Sequence, residues 1–228
     1  MEMYAETIKK CRLVMNLPLQ VIQRDILPMA HVQDISKGKY MIMYQDYVDS
    51  FGIIVSGKVH ILHIYPNGDT SLMNVLGPHQ VIGIDLICTR TKISPYYAMA
   101  SVPSKVLFIP SDFLFKQGIL EESYRLDILN KLLVMISHDN MKKEYRLAIL
   151  AQKGLRERIM TYLTMQSDKR GSRRIEIPFS RDELASFLCV NRSALSHELS
   201  LMQQEGIIRF RKNEFELLNL TGKIFLDT

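Results

Sequence analysis

The 228-residue chain contains no tryptophan, only three cysteines, and no apolar run near the ~18–20 residues that a bilayer-spanning helix needs. Its greasiest stretch, Val81–Cys88, is already interrupted by Asp85. A membrane partner is therefore not expected. Cys11, Cys88 and Cys189 are odd in number and far apart, which fits neither a disulfide framework nor a zinc or iron–sulfur ligand spacing. Three independent reduced thiols, with no metal and no cofactor, are the expectation. The first ten residues, Met1-Glu-Met-Tyr-Ala-Glu-Thr-Ile-Lys-Lys, carry acids where a secretory signal carries positive charge followed by an apolar core. The expected location is the cytoplasm.

What is present is ordinary in bulk: 47% hydrophobic and 23% charged residues, the balance of a folded globular protein. The length suits one large domain or two small ones. The net charge of +5 is compatible with a nucleic-acid partner, but many basic proteins bind none. Residues 152–228 hold 13 Lys/Arg against 10 Asp/Glu, with clusters at Lys169-Arg170-Gly171-Ser172-Arg173-Arg174 and Arg209-Phe210-Arg211-Lys212. Solvated loops and phosphate-facing surfaces both produce such clusters, so patterning must decide.

Three textures follow one another. From about 31 to 110, short β-branched runs alternate with turn signals at Ser56-Gly57 and Pro66-Asn67-Gly68-Asp69. Asn67-Gly68 between apolar runs predicts a hairpin, and the close spacing of strands predicts a small barrel or sandwich. Ser111-Asp112 is expected to cap a short helix over Phe113–Lys116, broken at Gly118. A long helix follows, with no Gly or Pro until Gly154. In it Leu126, Leu129, Leu133, Ile136, Asn140, Lys143, Leu147 and Leu150 alternate at spacings of three and four, a heptad seam suited to pairing with a second copy. A second stripe, Ile128, Leu132 and Met135, is available to pack on the strands. A helix wholly buried in its own chain is the alternative. From Leu155 the expectation is a helix to Met165, a basic loop, a strand over Arg174–Pro178, two helices and a hairpin.

The two helices carry the most information. Ser180 and Glu183 form a capping box, Leu184, Phe187 and Leu188 give a core face, and Cys189-Val190-Asn191 makes a tight turn ending in a favoured N-cap. In the second helix Leu195, Leu199 and Met202 form the buried stripe, and Gly206 closes it. Small Ala185 and the short turn allow steep packing, as in a helix-turn-helix. Arg192, Ser193, Ser196 and His197 then face outward, where this motif enters the major groove; an arginine there suits paired hydrogen bonds to guanine. Ile207–Leu218 reads as strand, turn at Lys212-Asn213, strand: a wing whose Arg211 and Lys212 can meet phosphate. A structural helical hairpin is the competing reading.

Arg158-Ile159, the Ser180–Ile208 motif and the wing resemble the C-terminal domain of the Crp/Fnr superfamily of bacterial transcription regulators. The β-rich region with Gly57, Gly68 and Gly83, followed by the long helix, is similar to that superfamily's sensor domain, so the likeness covers nearly the whole chain. It implies an α+β protein: an N-terminal double-stranded β-helix (jelly-roll) domain of the cyclic-nucleotide-binding kind over 1–120, a dimerisation helix over 121–151, and a winged helix-turn-helix over 152–228. It further implies a homodimer on near-palindromic double-stranded DNA, with RNA polymerase as a partner. The implied DNA-facing residues are Ser180, Arg181, Arg192, Ser193, Ser196, His197, Arg211 and Lys212. Ser193 stands where the best-known members have Glu, His197 where they have Arg, and Cys189 replaces the usual turn glycine.

In cyclic-nucleotide-binding relatives a Gly-Glu pair and a Pro-Arg-Ser/Thr-Ala segment close around the ligand. The corresponding segments here are Gly83-Ile84-Asp85-Leu86 and Pro95-Tyr96-Tyr97-Ala98, and Lys143-Glu144 occupy the place of the base-contacting Thr and Ser. Ile84 cannot accept a hydrogen bond and Tyr96 carries no charge for a phosphate, so cyclic AMP is not the expected effector. Cys11 alone does not supply the iron–sulfur cluster of the oxygen-sensing branch. None of His31, His60, His63, His79 and His138 has the context of a haem ligand. The expected effector is a small organic molecule, aromatic or anionic, near Gly83, Ile84, Asp85, Tyr96, Tyr97, Lys143 and Glu144; a filled barrel with core tyrosines is the equal alternative. A constitutive DNA binder with a structural sensor domain, or a cupin-like β-barrel enzyme, are the rival functions. Against the enzyme stands the lack of a His/Glu metal spacing, a nucleophile–base pair or a phosphate-binding glycine loop.

Overall fold

Apolar alternation and glycine-led turns fold residues 31–110 into eight strands arranged as two four-stranded antiparallel sheets. The structure is a computed structural model and describes residues 4–218. In the first sheet β1 (His31–Ile35), β8 (Ser104–Pro110), β3 (Ser50–Ser56) and β6 (Val81–Ile82) lie in the order β1-β8-β3-β6. The second sheet contains β2 (Tyr40–Ile42), β7 (Tyr97–Ala100), β4 (Val59–Ile64) and β5 (Thr70–Leu76), in the order β2-β7-β4-β5. The β4–β5 hairpin turns at Asn67-Gly68, with Gly68 at φ 85°, as its sequence predicts.

Period-two alternation divides the side chains of the first sheet between two cores. Ile54, Val106 and Phe108 join Val59, Ile61, Ala98 and Ala100 of the second sheet in the roll's apolar core. Phe51, Ile53, Leu107 and Ile109 join a second core built by helices. Those helices are α1 (Ala5–Lys9), α2 (Leu19–Val21), which widens into a π-helical turn over Ile22–Ile26, α3 (Ile84–Ile87), α4 (Asp112–Phe115) and α5 (Glu122–Leu150). The strand pattern says nothing about residues before 31, yet Ile8, Cys11, Leu13, Val14, Leu17, Ile22 and Ile26 are all buried there. Ser111 does not cap α4 with its side chain; its hydroxyl accepts a hydrogen bond from the Lys92 ammonium at 3.0 Å instead.

Gly57 and Lys58 carry the chain from β3 in one sheet to β4 in the other, and Ser101–Pro103 carry it back from β7 to β8. The two crossings touch. A Cβ on Gly57 (φ 96°) would lie 2.2 Å from Ser104 Oγ and 2.6 Å from its Cα. The Ser104 hydroxyl accepts from the Lys58 amide at 3.1 Å and closes the contact.

The C-terminal part begins with α6 (Leu155–Arg170), five residues longer than its apolar spacing suggests. Charged Asp168, Lys169 and Arg170 continue the helix until Gly171 adopts a left-handed conformation (φ 61°), so much of the expected basic loop is helical. Next come β9 (Arg174–Glu176), α7 (Arg181–Phe187), α8 (Arg192–Gln204), β10 (Ile208–Arg211) and β11 (Glu214–Leu217), the three strands forming a sheet in the order β10-β11-β9. The chain divides into two compact units, Met1–Asn140 and Met141–Thr228. The boundary between the two units falls within α5.

Candidate nucleic-acid interface and sensor residues

The helix-turn-helix is built by reciprocal capping. Ser180 Oγ accepts from the Glu183 amide at 3.3 Å, and the Glu183 carboxylate accepts from the Ser180 amide at 2.7 Å. Each bond satisfies a donor that the first turn of α7 leaves orphaned. After α7, Cys189 takes the left-handed conformation (φ 57°) at the place where glycine is the easier residue. Asn191 Oδ1 then accepts from the Ala194 amide at 2.7 Å, starting α8. Leu195, Leu199 and Met202 are fully buried. That stripe fixes the rotation of α8, leaving Arg192, Ser193 and His197 exposed and Ser196 half-buried.

These residues are not equally at liberty. The Ser193 hydroxyl donates to Asn191 Oδ1 at 2.8 Å. Arg192 pairs with Asp182 at 3.2 Å, both side chains about two-thirds exposed, an arrangement worth ~0–1 kcal/mol. Asp182 has no local sequence signature as this partner, since it lies ten residues away across a turn. Arg181 lies with its guanidinium 4.9 Å from the Phe210 ring centre and donates to the Lys212 carbonyl at 3.2 Å, binding the wing to α7. Burial, and secondarily the charge of Arg192, lower its pKa. Ser180 and Arg181 are therefore engaged within the protein by capping and stacking.

Arg211 and Lys212 sit exposed at the wing tip, where Lys212 (φ 55°) makes the turn. Asn213 donates to Glu176 at 3.0 Å and to the Ile177 carbonyl at 3.1 Å, tying that tip to β9. Two other arginines of the basic clusters are paired within the protein. Arg209 and Arg174 flank Glu216 in one cross-strand row, at 3.0 and 2.9 Å.

In the β-roll the expected effector residues do not assemble as a group. Tyr96 donates to Asp85 at 2.9 Å; burial first, then Asp85 and more weakly Asp139, push its phenol pKa strongly up. Ile84 instead faces the helical core, because α3 turns it away from Leu86 and Tyr96, which belong to the roll core. Tyr97 alternates with buried Ala98 and so stands on the outer side of its sheet, its ring 5.6 Å from Tyr40 and 6.3 Å from Tyr44. Gly83 is left-handed (φ 76°), with the Ser50 carbonyl 3.3 Å from where a Cβ would lie. Lys143 and Glu144 are exposed and belong to the other compact unit.

Along α5, Ile128 and Leu132 are buried against the roll and Met135 partly so. On the seam Leu126, Leu133 and Leu147 are 52%, 65% and 61% exposed, Leu129, Ile136 and Leu150 are half-buried, and Asn140 is exposed. Cys11 is enclosed by aliphatic side chains, and that burial raises its thiol pKa, a setting that does not fit iron–sulfur ligation. Among the described residues no group of three His, Cys, Asp or Glu is placed to hold a metal ion, and no helix is long and apolar enough to cross a membrane.

Comparison with known proteins follows the same division. Residues 32–117 match the cyclic nucleotide-binding domain family, and residues 157–222 match the Crp-like helix-turn-helix domain family. The transcriptional activator protein FnrA of Stutzerimonas stutzeri is 22% identical over 215 residues, covering 90% of this chain and 86% of the relative. Among solved structures, the c-di-GMP responsive global regulator CLP of Xanthomonas campestris superposes with a TM-score of 0.66 at 18% identity, over 89% of this chain and 100% of that one. CprK complexed with OCPA gives 0.65 at 22% identity, over 89% and 93%. The solved structures share the fold.

Proposed function

Because the chain belongs to the Crp/Fnr family of DNA-binding transcription regulators, we propose that it works as a homodimer reading near-palindromic double-stranded DNA, one recognition helix per subunit, under a small-molecule effector other than cyclic AMP. Its relatives are regulators and not enzymes. The observation that carries the reading is the N-terminal half of α8, with Arg192, Ser193 and His197 exposed and Ser196 half-buried, on a helix whose rotation is fixed by three fully buried residues. Arg192 is assigned to guanine, with Ser193, Ser196 and His197 as less restrictive readers. Arg211 and Lys212 are assigned to phosphates, and Ser180 and Arg181 to holding the surface in shape. The exposed leucines of α5, Leu126, Leu133 and Leu147, with Leu129, Ile136, Asn140 and Leu150, form the proposed dimer seam, since an unpaired apolar stripe of this kind is what a coiled-coil partner covers. RNA polymerase is the proposed protein partner and the cytoplasm the proposed site of action.

Effector control finds support in two similar structures, one c-di-GMP responsive and one complexed with OCPA. Asp85 and Asp139 put negative charge near Tyr96, which disfavours a cyclic phosphate and, of the aromatic or anionic ligands expected, favours the aromatic. A second reading, constitutive DNA binding with a structural β-roll, is favoured by the continuous apolar core that the two sheets share.

Selection of bound duplexes from random DNA, followed by footprinting with and without cell extract, tests both. One enriched palindrome whose protection changes with extract supports the regulator. Unchanged protection supports the constitutive binder, and failure to enrich any duplex refutes sequence reading. Arg192→Ala should lose affinity for the enriched site far more than for random DNA.

A further inference from the structure

The turn of the helix-turn-helix is held from outside the motif. Arg146, one turn before the end of α5, lies with its guanidinium 5.2 Å from the centre of the Phe187 ring. It donates through Nη2 to the Phe187 carbonyl at 3.3 Å, and the same nitrogen lies 3.7 Å from Cys189 Sγ. Arg158, on the first turns of α6, donates through Nη1 to the next carbonyl, Leu188, at 3.3 Å, and through Nε to the Gln152 carbonyl at 3.0 Å. Phe187 and Leu188 carry the last carbonyls of α7, groups with no partner inside their own helix and with the negative end of its dipole. Two fixed cations therefore close the C-terminus of α7. The Phe187 ring beneath Arg146 is itself packed against Tyr162 (5.4 Å) and Phe179 (4.9 Å), so the clasp is anchored in the aromatic core.

We infer that Arg146 is a positioning residue for DNA reading: with Arg158 it joins the end of the long helix to the turn that sets the start of the recognition helix. Asn191, the N-cap of that helix, is two residues beyond Cys189. Residues 152–154 are consequently bridged and do not act as a free swivel, because Arg158 fastens Gln152 and Leu188 together. The compact unit that begins at Met141 agrees with this placement, since residues 141–150 are part of the winged unit. A displacement of the last turns of α5 reaches the recognition helix directly. Only a forked, flat, permanently charged side chain can stack on Phe187 while bonding its carbonyl, so lysine is an incomplete replacement.

The inference rests on the DNA-reading function proposed above, and full-length Arg146→Ala, Arg146→Lys and Arg158→Ala test it. Affinity for the enriched duplex should fall about 10–50-fold in Arg146→Ala, the range expected for losing a charged hydrogen bond at a carbonyl, and less in Arg146→Lys. Affinity for random duplex should change less than about threefold, because phosphate contacts carry it. Amide hydrogen exchange should quicken at Leu188–Val190 and stay unchanged in the β-roll. The double variant should lose less than the two single losses combined, since both arginines hold one turn. Unchanged affinity for the enriched duplex, equal losses on both DNAs, or unchanged exchange at the turn would each overturn the assignment. Should the wild type enrich no duplex, the DNA reading fails by itself and exchange still decides the clasp. Should Arg146→Ala not fold, Arg146→Lys carries both readouts.

Discussion

The β-roll unit and the winged unit are held together by different means. The roll places a large aliphatic core between its sheets and a second one under its helices, and its sheet-to-sheet crossings are closed by the Ser101 and Ser104 hydroxyls on Lys58. The winged unit has far fewer residues with which to build a core, and small domains bury proportionally less surface. It compensates with arginines. Arg146 and Arg158 close the turn, and Arg181 stacks on Phe210 and binds the Lys212 carbonyl. Arg156 joins Glu198 to Glu205 at 2.6 Å each, while Arg174 and Arg209 share Glu216. Apolar cores tolerate salt and acid, whereas the arginine–glutamate pairs weaken in both and the arginine–carbonyl bonds do not depend on acid.

The sharpest break in that comparison would come from the roll. Phe51→Ala removes a fully buried ring and should cost about 3–5 kcal/mol, read as a lower urea midpoint. Leu133→Glu, on the exposed seam, should leave monomer stability within about 0.5 kcal/mol while raising the dimer dissociation constant by 100-fold or more. Sedimentation at several concentrations measures it, and an unaltered dimer would move the interface off α5. Arg192→Ala should lose about 1–3 kcal/mol per half-site at one base position, seen in competition between enriched and mismatched duplexes.

The smallest expected effect concerns acid. The carboxyl pKa values of Glu205 and Glu216 are held below the usual 4.5, first by hydrogen bonds from Arg156 and Arg174 respectively. A depressed carboxyl pKa contributes stability that is complete above the unfolded value and is lost as pH falls through the folded one. Acidification below about pH 4.5 should therefore remove two such contributions from the winged unit and one, Glu122 held by Arg125, from the roll unit. The winged unit should loosen somewhat more. Residue-resolved amide spectra check the difference, and equal loosening of both units would show that the arginine clasps add nothing distinctive.

The same contrast explains which features are legible in the sequence. The helix-turn-helix depends on groups a few residues apart, Ser180 with Glu183 and Asn191 with Ala194, so its caps, turn and buried stripe stand in the sequence. The hairpin at Asn67-Gly68 is legible for the same reason. Where a side chain faces after a change of element is not local. Ile84 and Tyr97 sit beside Asp85 and Tyr96 in sequence, yet one enters the helical core and the other the outer surface of a sheet. The end of α6 was obscured because charged residues that favour helix also look like loop. Arg146, Arg181 and Asp182 act across 41, 31 and 10 residues, and no periodicity announces such partners.

Gly57 is not among the residues assigned to DNA or effector, but it is where the chain passes from one sheet to the other. Any side chain there would wedge Ser104 away from Lys58 and prise apart both crossovers at once. A saturation survey scored only by transcriptional output would rank this position among the most sensitive in the chain and invite its mistaken inclusion in a ligand site. Scoring the same library for protein abundance as well would separate such a structural pin from the residues that do the regulating.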